Sequence, residues 1–273
     1  MARRLADLEV AQRLVVRDPG RAPRLPGAEV AQASYEDAEA MLAALDGIRT
    51  LLLVSGHEAF ARVPQHRRAV DAAVAAGVER IVYTSFLASA SDATFTFSHD
   101  HAATEEYVRG SGLAWTFLRP SLYLDLVPYF AWDDGVIRAP AGDGRIAWVA
   151  RDDVADVAIA VLTGTDHEHR TYDVTGPQLL TLEATARILT SVTGREIRYV
   201  PETLEEARAS RASADATAEE IEGWATSYYA IATGEMAVVS DTVERLTGHQ
   251  PAALEPYLRT HPELWSHLVL KPR

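Results

Sequence analysis

Along this chain, short apolar runs alternate with longer amphipathic stretches. The runs are Gln12–Val16 (QRLVV), Thr50–Val54 (TLLLV), Val78–Ser85 (VERIVYTS) and Ala114–Leu118 (AWTFL). Thr50–Val54 is the clearest: a continuous apolar run of strand length suits a parallel strand covered on both faces. Tyr35–Leu45, Pro64–Ala76 and Ser98–Arg109 lie between the runs and read as helices. Ser34 is the expected N-cap of the first, with Asp37 as a loose capping-box partner. Gly47, Gly77 and the Gly110/Gly112 pair are the expected stops. Ala28–Ala31 adds a short extended piece. Strands alternating with helices predict an α/β fold, a Rossmann-like doubly wound parallel sheet over residues 1–120.

Past Pro120 the pattern changes, and residues 121–273 read as a smaller C-terminal α/β lobe carrying the substrate side. Leu122–Trp132 is aromatic and irregular. Val136–Arg138 and Arg145–Val149 flank Gly142-Asp143-Gly144 and read as a hairpin-like pair. Asp152 is the expected cap of a helix through Leu162, and Thr181 of one through Val192. The chain returns to strands at Thr171–Val174 and Glu196–Val200. The remainder reads as mostly helical, over Leu204–Ser210, Ala218–Ile231 and Thr242–Leu246, with Ala- and Ser-rich Ala207–Ala218 as a loop.

Composition narrows the function. The net charge of -13 argues against a nucleic-acid or anionic-membrane surface. There are no cysteines, which removes disulfides, thiolate metal sites and thiol nucleophiles. No apolar run reaches the length of a membrane span and no signal-peptide pattern opens the chain, so a cytoplasmic protein is expected. No metal is expected, because His99 and Asp100 are adjacent on a helix and do not face one site.

The strand ends carry the candidate chemistry. In parallel α/β sheets, ligands bind at the carboxyl ends of the strands, and a glycine-rich turn after the first strand holds the pyrophosphate of a dinucleotide. No such turn precedes Gln12. The expectation is therefore that a first strand and its Gly-rich loop, about 15–20 residues, are missing, through a downstream start or a real truncation. That loss would leave two neighbouring strands with unpaired inner edges.

LVVRDPGRA (14–22), TLLLVSG (50–56), QHRRAVDAAVAAGVERIVYTS (65–85), HAATEEYVRGSGLAWTFLRPSLY (101–123), DDVADVAIAVL (152–162), TYDVTGPQLLT (171–181) and SDTVERLTG (240–248) occur in this order. Together they resemble the NmrA-like atypical short-chain dehydrogenase/reductase family, and within it the type 2 quinone oxidoreductase subgroup. The resemblance implies NADP(H) as cofactor. Arg17 would meet the adenosine 2′-phosphate, favouring NADPH, since a guanidinium pairs bidentately with phosphate. Ser55 and Gly56 would pass the adenine side. Thr84 and Ser85 would face the nicotinamide ribose, with Pro120, Ser121 and Tyr123 beside the nicotinamide amide.

The resemblance breaks at the catalytic pair. The wider superfamily uses a tyrosine acid and a lysine four residues later. Aligned on Glu105-Glu106, this chain has Phe97 and His101 there. Phenylalanine donates no proton, whereas His101 agrees with the quinone-reductase subgroup and would orient the ribose or protonate a quinone oxygen. Phe86, Tyr123, Tyr129, Phe130 and Trp132 would line a pocket for a flat acceptor. The expected function is hydride transfer from NADPH to a quinone or similar small conjugated acceptor. The expected partner is that small molecule, with a homodimer allowed. The alternative is a non-catalytic NAD(P)-sensing or scaffold protein, or an inactive truncated homologue.

Overall fold

The helix Arg62–Ala75 stops where Gly77 takes a left-handed φ of 76°. The Val78 amide then donates to the Ala73 carbonyl and the Gly77 amide to the Val74 carbonyl. These bonds satisfy the last helix carbonyls and turn the chain into the strand Arg80–Thr84. That strand is central in a computed structural model that describes residues 1–56, 61–212 and 216–269.

In chain order the elements are α1 (Ala2–Asp7), β1 (Gln12–Val16), β2 (Ala28–Gln32), α2 (Ala38–Leu45), β3 (Thr50–Val54), α3 (Arg62–Ala75), β4 (Arg80–Thr84), α4 (Thr96–Gly110) and β5 (Ala114–Pro120). Then follow β6 (Val136–Ala139), α5 (Arg151–Thr163), β7 (Arg170–Val174), α6 (Leu182–Thr193), β8 (Arg198–Pro201), α7 (Leu204–Arg211), α8 (Ala218–Ala232), α9 (Thr242–Thr247) and α10 (Leu254–Thr260). No helix among the described residues is long and apolar enough to cross a membrane.

The parallel α/β fold expected from the apolar runs is the one observed. β3, β4 and β5 pair in parallel, in the sheet order β3-β4-β5-β7. β1 and β2 form a separate parallel pair. Among the described residues β1 and β3 are not partners, so each keeps one edge without a strand beside it.

The chain divides into two units. The first holds residues 1–85, 100–118 and 155–172, and the second holds 86–99, 119–154 and 173–273. In the first unit, Met41, Leu45, Leu53, Ala69, Val70, Ala73, Ile81, Tyr83, Val108 and Phe117 build one buried core. In the second, Phe95, Phe97, Leu124, Ile137, Ile146, Trp148 and Leu189 belong to another.

Four local expectations are corrected. The helix predicted from Tyr35 starts at Ala38, because Asp37 rather than Ser34 accepts from the Ala40 amide as N-cap. Ser34 instead accepts from the Glu36 amide in a turn. Likewise, α5 begins at Arg151, which puts Asp152 in its first turn.

The hairpin is absent: β6 pairs in parallel with β8. A side chain at Gly144 would overlap the Ile231 carbonyl, so this turn is packed against α8. Ile146 then exchanges two backbone hydrogen bonds with Leu180, at 3.0 and 2.9 Å, instead of pairing with β6. The stretch read as a loop is helical up to Arg211, and its residues 213–215 lie outside the described residues.

Candidate active site

Parallel strands bring a row of short polar segments to one kind of edge, the carboxyl end. β1 delivers Arg17. Its side chain is exposed and has no hydrogen-bond or ion-pair partner among the described residues, while its carbonyl accepts from Gln32 Nε2 at 3.1 Å. The neighbouring Asp18 does not neutralise it. The Asp18 carboxylate accepts from the Gly20 amide at 2.9 Å and caps a short 3-10 turn. Among the described residues the guanidinium is therefore uncommitted.

At the end of β3, side chains occupy both backbone donors. The Ser55 amide donates to Thr84 Oγ1 at 2.9 Å, and the Gly56 amide to His66 Nε2 at 2.8 Å. His66 is fully buried. Its Nδ1 lies 2.9 Å from Thr104 Oγ1, which donates to the Asp100 carbonyl at 2.8 Å. Burial, then the nearby Arg62 guanidinium, push the imidazole pKa down to about 4. Arg62 is itself buried and ion-paired to Asp100 at 3.0 Å. Tyr35 donates its hydroxyl to the Val54 carbonyl, and burial raises its pKa to about 12.

β4 ends in Thr84 and Ser85, and the fold uses both hydroxyls. Thr84 Oγ1 accepts from Ser55, as above. The buried Ser85 Oγ donates to Glu105 Oε1 at 2.6 Å, and Arg109 reaches Glu105 Oε2 at 2.9 Å. One turn earlier on α4, His101 is 4% exposed and its Nδ1 lies 2.8 Å from the Tyr83 hydroxyl. Burial raises the Tyr83 pKa, so the phenol stays protonated. His101 is thereby tied to a core tyrosine.

The remaining candidates lie in the second unit. Pro120 is buried and accepts from the Leu87 amide at 2.9 Å. Ser121 is 1% exposed, and its Oγ is the buried side-chain polar atom left without a partner among the described residues. Tyr123 lies under the Arg151 guanidinium, 4.9 Å from its ring centre. Phe86 packs on Phe95 and Phe130 on Trp148 and Tyr228, at the margin of the core. Tyr129 and Trp132 instead line an exposed groove with His267, Tyr129 stacked on the imidazole at 4.4 Å. The five aromatic residues therefore do not form a single wall within this unit. Phe97 is 2% exposed, and a side chain at Gly223 on α8 would overlap its ring.

Sequence reading missed the polar layer of buried Arg62, His66, Thr104 and Glu105 with the half-buried Asp100. A signal was available: Arg62/His66, Asp100/Thr104 and His101/Glu105 are each spaced i,i+4, which places each pair on one helix face.

Among the described residues two candidates keep unspent capacity, each within its own unit: the Arg17 guanidinium, a group suited to pairing with phosphate, and the buried Ser121 hydroxyl.

Comparison with known proteins agrees. A family model described as NAD(P)H-binding matches residues 1–165. Quinone oxidoreductase 2 of Escherichia coli is 38% identical over 191 residues, which span 68% of this chain and 66% of that protein. The (4-alkanoyl-5-oxo-2,5-dihydrofuran-3-yl)methyl phosphate reductase of Streptomyces griseus is 34% identical over 272 residues, spanning 97% and 94%. The solved structure of the E. coli quinone oxidoreductase complexed with NADPH superposes with a TM-score of 0.84 at 32% identity, covering 91% of this chain and 89% of that one. The chain therefore belongs to the NAD(P)H-binding, NmrA-like family of oxidoreductases.

Proposed function

We propose that this NAD(P)H-dependent oxidoreductase reduces a quinone or a similar small conjugated acceptor, and prefers NADPH. The observation that carries the choice of acceptor is Phe97. The position where the wider superfamily places its acid holds a buried phenyl ring. A ketone reduced by hydride becomes a strongly basic alkoxide and needs a proton donor as it forms. A quinone becomes a delocalised hydroquinone anion, which takes its proton from water. NADPH, when bound, supplies the hydride, and the protein supplies orientation and a dry surface.

In this reading Arg17 holds the 2′-phosphate, Ser55 and Gly56 pass the adenosine side, and Thr84, Ser85, Pro120 and Ser121 shape the nicotinamide side. His101 is a positioning residue, since its Nδ1 is committed to Tyr83. Phe86 and Tyr123 provide flat apolar surface for the acceptor.

The test is NADPH oxidation, corrected for the uncatalysed rate, with 1,4-benzoquinone against a simple ketone. Turnover with the quinone alone is expected. Arg17→Ala should lower kcat/KM for NADPH about tenfold, in line with the loss of one charge-assisted contact, and spare NADH. Ketone turnover, or NADPH binding with no quinone turnover, overturns the reading.

A further inference from the structure

At the end of β3 two successive backbone donors are capped by side chains from other elements, Ser55 by Thr84 and Gly56 by His66. We propose that His66 is a positioning residue for the nucleotide: by occupying the Gly56 amide it fixes the Ser55–Gly56 turn as a surface without free backbone donors at those two residues, which takes a sugar or base and not a phosphate. This rests on the NADPH-binding reading above.

The tautomer of His66 follows from its partners. Nε2 accepts from the Gly56 N–H, so it carries no proton. Nδ1 therefore carries the proton and donates to Thr104 Oγ1, whose own proton goes to the Asp100 carbonyl. Each donor in this chain thus meets an acceptor, and Thr104 also neighbours the Tyr83 hydroxyl.

The surroundings keep the ring neutral. Arg62 on α3 faces it with a positive charge balanced by Asp100 on α4, and the phenols of Tyr35 and Tyr83 pack edge-on at 6.1 and 5.5 Å. A protonated His66 would turn Nε2 into a donor facing the Gly56 donor, and the cap would be lost. Phosphate sites at helix and turn termini work through free N–H groups. A strand end that has given its amides away cannot serve as one, and it still permits close van der Waals approach because residue 56 is glycine. A side-chain carbon there would lie in ordinary van der Waals contact, 3.5 Å, with Gln65 Oε1 and His66 Nε2.

The experiment compares His66→Gln, His66→Asn and His66→Phe with the wild type. Gln places an acceptor where Nε2 was; Asn keeps a donor toward Thr104 but falls short of Gly56; Phe keeps only the bulk. The KM for NADPH should rise about tenfold in His66→Asn and His66→Phe, with kcat at saturating NADPH changed less than threefold, and Gln should restore most of the loss. Urea unfolding of each variant separates this pattern from general destabilisation, which would not follow acceptor geometry.

Two wild-type measurements hold even if a variant does not fold. Nitrogen NMR should show His66 protonated at Nδ1 alone with a slowly exchanging Gly56 amide. NADPH should shift the Gly56 resonance, and inorganic pyrophosphate at equal concentration should not. A fast-exchanging Gly56 amide, a pyrophosphate-induced shift, or His66→Asn binding NADPH like the wild type overturns this inference. Failure of the wild type to bind NADPH at all instead overturns the proposed function, and with it the nucleotide role of His66.

Discussion

β3 and β4 are neighbours, paired residue for residue from Thr50–Arg80 to Val54–Thr84. β4 has β5 on its other side and buries Ile81, Val82 and Tyr83 completely. β3 has no strand on its other side among the described residues, and Val54 is 49% exposed. An apolar run thus expresses a demand for cover, while supply depends on partners distant in sequence. The two ends differ as well. β4 is anchored by a carboxylate, Glu105 on Ser85, whereas β3 is anchored by a neutral imidazole, His66 on Gly56.

Large-to-small substitution should expose the contrast most strongly. Ile81→Ala removes a side chain sealed on all sides and should cost about 3–4 kcal/mol, against about 1 kcal/mol for Leu52→Ala on the half-covered strand, both read from urea unfolding. Equal costs would mean that β3 is covered in solution.

Acid comes next. The unfolded chain protonates His66 near pH 6.5 and the folded chain only near pH 4. Between those values the unfolded state holds more protons, so this contribution is complete above pH 6.5 and fades as the pH falls toward 4. It amounts to roughly 2–3 kcal/mol. His66→Phe should flatten that segment of the stability profile, and an unchanged slope would assign it to other groups.

The smallest effect is expected at the open edge. Val54→Lys should change stability by less than about 0.5 kcal/mol, yet slow aggregation measured by light scattering, since a lysine blunts edge-to-edge pairing. A large loss of stability would show that β3 is no edge.

Much of the first unit was legible. The strands β1, β3, β4 and β5 were read from runs of the right length, and Gly77 marked the end of α3 because a left-handed residue there needs no Cβ. The start of α2 was ambiguous for a physical reason. Ser34 and Asp37 are both competent caps, and the choice falls with Tyr35, whose hydroxyl is drawn to Val54. The β6–β8 pairing joins residues about sixty positions apart, and local turn chemistry at Gly142–Gly144 carries no trace of it.

Position after a strand was enough to place Arg17, Ser55 and Ser85 at carboxyl strand ends. The direction of the Thr84 and Ser85 hydroxyls was not legible, since it depends on where Ser55 and Glu105 lie in space. Arg62, His66 and Glu105 escaped because a charged residue on a helix reads as solvated until its partners are known.

The contact between Phe97 and Gly223 has a consequence for engineering. Because the buried ring fills the space that a side chain at Gly223 would take, a hydroxyl added by Phe97→Tyr would have to be fitted into a packed core beside α8. One substitution at position 97 would then supply a phenol only at a cost in core packing. A library aimed at carbonyl substrates would have to remodel α8 before it touched position 97.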